Sequence, residues 1–163
     1  MPSAIVPGSF DPVTNGHIDI IERASGLFSH VTVAVALNST KAPLFTLEER
    51  LELIESAIAH LPNVDVCTFE GLLVEYALAR GASAIVKGLR AVSDFEYELQ
   101  MALMNRRLHP DVETVFMMTG AEYSFLSSSI VKEIARLGGN VEGLVTERVR
   151  EHLEQKFGGK IRK

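Results

Sequence analysis

The sequence predicts an α/β domain built around a mostly parallel sheet of five strands. Three observations carry this. Short β-rich runs recur five times along the chain, stretches of helical period separate them, and no repeat, low-complexity tract or linker divides the whole.

In chain order, the first strand is predicted at "SAIVP" (3–7), followed by a helix from Gly16 to Phe28. "VTVAVAL" (31–37) is the second strand. The helix after it, "TLEERLELIESAIAHL", puts Leu47, Leu51, Ile54, Ile58 and Leu61 on one stripe and opens with Thr46 and Glu49 in capping-box spacing. "VDVCTF" (64–69) is the third strand, and a helix from Leu72 to Arg80 leads to the fourth, "SAIVKG" (83–88). "SDFEYELQMALMNRRLH" repeats the capping device with Ser93 and Glu96, and its face to be buried runs through Phe95, Leu99, Ala102 and Leu103. The fifth strand is "ETVFMMT" (113–119), followed by helices from Ser128 to Leu137, stopped by Gly138-Gly139, and from Thr146 to Phe157. Strands alternating with helices in this way form a Rossmann-like, doubly wound sheet in a single domain spanning 1–163, with the basic, glycine-containing end "KFGGKIRK" (156–163) as a solvated tail.

Composition narrows the classes of function. A chain of 163 residues, 47% hydrophobic, buries about two thirds of its unfolded surface in one core. No apolar run approaches the roughly 20 residues that span a bilayer, and the first residues lack the layout of a secretion signal, so the expectation is a soluble protein with no membrane partner. The single cysteine, Cys67, lies in an apolar alternation and reads as a small buried hydrophobe, which suits the cytoplasm. Sixteen basic against 21 acidic residues give a net charge of −5, which argues against nucleic acid as a partner. Any polyanion bound must be small and locally gripped.

In an open parallel sheet, ligands bind beyond the carboxyl ends of the strands, and there the unusual residues collect. The first strand delivers "GSFDPVTNGH", with Gly8, Ser9, Phe10 and then His17 at the start of a helix, whose free N–H groups and dipole favour an anion. The second delivers Asn38, Ser39, Thr40 and Lys41; the fourth delivers Lys87, Gly88 and Arg90; the fifth delivers Thr119 and Gly120, then "YSFLSSS" (123–129). Each residue has an ordinary structural reading. His17 and Lys41 taken singly are surface residues, and one of Ser127, Ser128 and Ser129 is an N-cap. Their convergence on one edge favours a phosphate site.

Absences then restrict the chemistry. Neither G-x-x-x-x-G-K-[ST] nor G-x-G-x-x-G occurs, and no Cys/His cluster suggests zinc. His30, His60, His109 and His152 fall near predicted helix ends or loops and carry no assigned role. Donors and cations without an activated nucleophile suit direct phosphoryl or nucleotidyl transfer between two bound substrates, where positioning and charge stabilisation dominate.

"TNGH" (14–17) resembles the [HT]-x-G-H signature of the nucleotidyltransferase superfamily, and "FLSSSIVKE" (125–133) its serine-rich signature. With "PGSFDPVTNGHIDI", "FTLEER", "KGLRAVSDFEYELQMALMN" and "YSFLSSS" in this order, nearly the whole chain resembles the bacterial phosphopantetheine adenylyltransferase family, the "GLRAVSDFEYE" segment being the most specific part. The resemblance implies transfer of AMP from ATP to 4′-phosphopantetheine, giving dephospho-coenzyme A and pyrophosphate with Mg²⁺, in coenzyme A biosynthesis. It implies that His17, Ser9, Lys41 and Arg90 serve the transfer. Ser9, Phe10, His17, Gly88, Leu89, Arg90, Glu98, Tyr123, Ser124, Phe125, Leu126, Ser127, Ser128 and Ser129 would form the ATP side, and Ser9, Lys41, Leu73 and Lys87 the acceptor side. A homohexamer and feedback inhibition by coenzyme A are also implied. Two positions depart from other forms of the motif: Ser9 keeps the hydroxyl of threonine, and Lys87 keeps the charge of arginine but loses its planar two-point fork.

Two other readings compete. Another nucleotidyltransferase, acting on nicotinate mononucleotide or glycerol 3-phosphate, satisfies the two short signatures but not "GLRAVSDFEYE". A regulatory module that holds ATP without turning it over would leave Lys41 and Lys87 without a role.

Overall fold

The computed structural model describes residues 1–37, 42–90 and 95–159. Along the chain run β1 (Ser3–Gly8), α1 (Asn15–Leu27), β2 (His30–Ala36), α2 (Leu47–Ile58), β3 (Val64–Phe69), α3 (Leu73–Ala79), β4 (Ala84–Leu89), α4 (Phe95–Leu108), β5 (Glu113–Met118), α5 (Ser128–Arg136) and α6 (Glu147–Phe157), with a 3-10 turn at Ala121–Tyr123. All five predicted strands are present within a residue or two of their expected ends.

The sheet order is β3-β2-β1-β4-β5, and every neighbouring pair is parallel. Alternation along the strands sorts the core into two layers. Ala4 and Val6 of β1, with Val31, Val33 and Val35 of β2, face the larger layer, which Ile20 and Ile21 of α1, Leu53 and Ile54 of α2, Val131 of α5 and Leu153 of α6 complete. Ile5, Ala34 and Ile85 point the other way, onto Val74 and Ala77 of α3. Helices therefore cover both faces, as a doubly wound sheet requires.

Local signals account for the helix ends. Thr46 Oγ1 accepts from the Glu49 amide at 3.2 Å while Glu49 Oε2 accepts from the Thr46 amide at 2.9 Å, the capping box expected of that spacing. Ser93, expected to cap α4, lies outside the described residues, as does Lys160 onward in the expected tail. Beyond α5, Gly138 takes φ of +76°, a left-handed turn that stops the helix where the glycine pair predicted it.

Three of the four histidines set aside in the sequence pair with carboxylates. His30 pairs with Asp65 at 3.0 Å, His60 with Glu22 at 2.9 Å, and His152, which stands inside α6 and not near its end, pairs with Glu52 at 3.5 Å. Cys67 is half-buried rather than buried, with its Sγ donating to Asp65 Oδ2 at 3.7 Å.

One helix departs from expectation. The face of α4 predicted to be buried is not: no residue of the helix is buried, and Leu99 and Leu103 are 40% and 57% exposed. Phe95 meets Phe116 edge-on at 6.1 Å, but β5 is the margin of the sheet and α4 has no buried residue against the other described residues.

Candidate active site

The strand order reverses between β1 and β4, and the two strands pair only at Ala4–Ala84 and Ile5–Ile85. Beyond those pairs they part. The gap is a cleft of about 290 Å³, walled by Val6 and Pro7 of β1 and by Val86, Lys87 and Gly88 of β4. A crevice at a switch point beyond the strand carboxyl ends is where a doubly wound sheet takes its ligand. Backbone comes close here because Gly88 has no side chain: a Cβ would stand 3.0 Å from Cγ1 of Ile20, the buried residue at the cleft floor.

The loop after β1 is held under strain. Phe10 is not glycine yet has φ of +51°, a conformation that costs a bulky residue about 1 kcal/mol or more. Its ring is buried, edge-on to His17 at a centroid distance of 4.9 Å, and Gly8 leaves it room, since a Cβ there would lie 3.0 Å from the ring. Asp11, joined to Pro12 by a cis peptide bond, is also buried and accepts hydrogen bonds from the amides of Leu44 and Phe45, both at 2.9 Å, and from Lys132 Nζ at 3.0 Å. One carboxylate so joins the β1–α1 loop, the approach to α2 and α5. Arg50 secures the same loop from α2, donating to the carbonyl of Ser9 at 2.9 Å and of Ala36 at 3.5 Å; its Nε is buried without a partner among the described residues.

His17 is set by the start of α1. The Thr14 amide donates to His17 Nδ1 at 3.0 Å, and Thr14 Oγ1, which accepts from the His17 amide at 3.4 Å, lies 3.2 Å from the same ring nitrogen. Nδ1 is thus an acceptor, and the proton of the neutral ring belongs on Nε2. The ring is neutral because burial, and secondly the charge of Arg90, push its pKa down to about 4. His17 faces the cleft as a neutral donor, not as an imidazolium.

The three serines opening α5 have separate tasks. Ser127 is the N-cap, its Oγ accepting from the Ile130 amide at 3.1 Å. Ser128 Oγ donates to the Pro12 carbonyl at 2.7 Å and so draws the two helix starts together. The Ser129 side chain has no hydrogen bond among the described residues, and Ser129 lines the cleft in the first turn of the helix. Cations stand nearby: Arg90 Nη1 donates to the Leu126 carbonyl at 3.0 Å, and Lys87 Nζ lies 3.2 Å from Glu98 Oε2.

Of the predicted site residues, Ser9, Phe10, His17, Lys87, Gly88, Arg90, Glu98, Tyr123, Leu126, Ser127, Ser128 and Ser129 wall this one cleft. Others stand apart from it. Leu89 contributes its carbonyl to Thr119, Ser124 Oγ turns back to Ala121, Phe125 is 53% exposed, and Leu73 begins α3 and packs on the smaller core layer. Lys41 lies outside the described residues. The sequence reading missed Thr14 as a partner of the ring, although the residue was quoted in "TNGH". It also missed Asp11, Arg50 and Lys132, whose partners lie from 14 to 121 residues away, beyond the reach of any spacing rule. Among the described residues no group of three His, Cys, Asp or Glu side chains could hold a metal ion.

Residues 5–134 match the cytidylyltransferase-like family. The chain is 59% identical over 157 residues to phosphopantetheine adenylyltransferase of Alkaliphilus oremlandii, covering 96% of this chain and 100% of that one. It is 55% identical over 162 residues to the enzyme of that name from Heliobacterium modesticaldum, covering 99% and 96%. A solved structure from Vibrio parahaemolyticus, described as a nicotinate-nucleotide adenylyltransferase, superposes with a TM-score of 0.69 at 18% identity over 99% of this chain and 98% of its own. At that identity the likeness speaks to fold alone.

Proposed function

We propose the following reaction for a chain that belongs to the cytidylyltransferase-like family and, within it, to the phosphopantetheine adenylyltransferases. It transfers AMP from ATP to 4′-phosphopantetheine, giving dephospho-coenzyme A and pyrophosphate, as one nucleotidyltransferase domain over 1–163. The observation that supports this most is the company His17 keeps: a neutral donor, two cations and the open start of α5 share one cleft with no activated nucleophile among the described residues. Such a site suits transfer from one bound substrate directly to the other.

An oxygen of the acceptor phosphate attacks the α-phosphorus of ATP in line, and the bond to the pyrophosphate oxygen breaks as the new one forms. No covalent enzyme intermediate is involved. His17 Nε2–H, the Ser9 and Ser129 hydroxyls and Arg90 donate to the phosphate oxygens on which charge grows, while Lys87 holds the acceptor's phosphate; Lys41 completes the set by family correspondence. Because the His17 ring is already neutral and its tautomer fixed, it donates without reorganising as the charge develops. Glu98 and the segment Tyr123–Ser129 take the nucleotide side.

Mg²⁺ fits this site as part of the MgATP substrate, carried on phosphate oxygens and waters, since the cleft offers hydroxyls and cations that grip phosphate and a single carboxylate, Glu98, among its described walls. When bound, the ion neutralises charge on the triphosphate. We further infer a homohexamer that uses the uncovered face of α4, inhibition by coenzyme A as an end product sharing the acceptor site, and a cytoplasmic location, for which the lone unpaired Cys67 is suited. No helix among the described residues is long and apolar enough to cross a membrane.

The test is pyrophosphate release from ATP and Mg²⁺ with and without 4′-phosphopantetheine. Release that requires the acceptor is expected. ATP binding with no acceptor-dependent release would overturn the assignment and return nicotinate mononucleotide to consideration.

A further inference from the structure

Glu98 is chemically out of place. Every other polar side chain on the described walls of the cleft is a hydroxyl, a cation or the neutral imidazole, all suited to phosphate, and a carboxylate among them repels a phosphate unless its charge is matched. It is matched by Lys87. Nζ lies 3.2 Å from Oε2 and 3.4 Å from Oε1, so the ammonium sits in the fork of the carboxylate. Both side chains remain partly open to the cleft, at 31% and 18% exposure. Lys87 comes from the end of β4 and Glu98 from the first turn of α4, so the pair joins two separate elements across the wall of the cleft.

We propose that Glu98 is a displaceable counter-ion: it holds Lys87 until the acceptor's phosphate arrives and then yields the ammonium to it. This rests on the reading of Lys87 as the acceptor's phosphate contact. Three features support exchange over a permanent bridge. The pair is solvent-accessible, so its net stability is small. A phosphate monoester carries more charge and more acceptor oxygens than a carboxylate, so it competes well for one ammonium. Lysine is a point charge on a flexible stem, able to change partners without breaking the two-point grip an arginine would have formed. The exchange also filters ligands, because only an acceptor that carries an anion can dislodge Glu98, and it leaves Glu98 available to accept from a hydroxyl of the nucleotide. Occupation of one half of the cleft is thereby linked to the other.

The experiment is calorimetric binding of 4′-phosphopantetheine, and of pantetheine lacking the phosphate, to the wild type, Glu98→Gln, Lys87→Ala and the double variant. Removing the competing carboxylate should tighten 4′-phosphopantetheine by about fivefold, the upper range for an accessible pair, and leave pantetheine unchanged. The gain should vanish when Lys87 is already alanine. Unchanged or weaker 4′-phosphopantetheine binding in Glu98→Gln overturns the exchange. An equal gain with and without Lys87 overturns it too, since that is direct repulsion. Lys87→Ala that binds both ligands as the wild type does overturns instead the acceptor-site reading beneath it.

Discussion

The backbone amide of Thr14 donates to Nδ1 of His17 at 3.0 Å, and this bond decides which nitrogen of the ring bears the proton. A residue that caps a helix thus also sets the chemistry of its neighbour. With Nδ1 occupied as an acceptor and the ring neutral, Nε2–H is the form that meets the phosphates.

Replacing His17 with alanine should lower acceptor-dependent pyrophosphate release by about a hundredfold or more, the scale for one preorganised donor at a developing oxyanion. The same change removes the reciprocal half of the α1 capping box, so a stability loss of about 1 kcal/mol should accompany it. Steady-state turnover and a urea titration on one preparation separate the two effects. Undiminished turnover would take His17 out of the mechanism.

The depressed pKa of His17 has a consequence for acid stability. The folded ring binds a proton only near pH 4, whereas the unfolded chain binds it near 6.5. Above about pH 6.5 both states are neutral and the group adds no pH dependence. Below that the unfolded state takes up a proton the folded state refuses, so stability falls as pH drops from 6.5 toward 4. His17→Gln should flatten that part of the stability profile measured by urea midpoint, and an identical slope in the variant would contradict the shift.

Asp11→Ala should destabilise the protein by about 3 kcal/mol or more, because two buried amides and the Lys132 ammonium lose their shared acceptor. Asp11→Asn, which keeps one acceptor oxygen, should lose less. Equal losses in thermal melts of the two variants would show that volume, not hydrogen bonding, matters there.

At Gly88 the expected clash is with one neighbour. Gly88→Ala places a Cβ 3.0 Å from Ile20 Cγ1 and should cost about 1 kcal/mol, together with weaker ATP binding at the narrowed floor. Combined with Ile20→Ala the two losses should be less than additive. Full additivity in a double-mutant cycle would mean that the strain is released elsewhere.

For assembly, Leu103→Glu on the uncovered face of α4 should reduce the particle mass found by sedimentation while leaving each chain folded, since Leu103 is 57% exposed within the chain. An unchanged mass would place the interface on another surface.

Fold class was legible because it depends on periods. Alternating β-rich and helical runs, the Thr46–Glu49 box and the Gly138 stop are signals within a few residues of one another, and each appears where its spacing put it. The serine-rich start of α5 was legible as a cap for the same reason. What no local pattern contained was the cleft itself, since it exists because β1 and β4 stop pairing after Ile5 and Ile85, strands 80 residues apart. Asp11 and Arg50 likewise read as ordinary loop and helix residues until folding buries them against distant backbone. The apolar stripe of α4 is the opposite case: its pattern was correctly seen, but burial needs a surface to pack on, and the described residues of one chain do not provide it. Which segments become strands and helices, and which residue types gather at the strand ends, can be read from the order of residues alone. The tautomer of His17 follows from a cap three residues away, but its lowered pKa and the pairing of Lys87 with Glu98 come from folding, because they arise from desolvation and from partners that come within bonding distance only when the sheet is assembled.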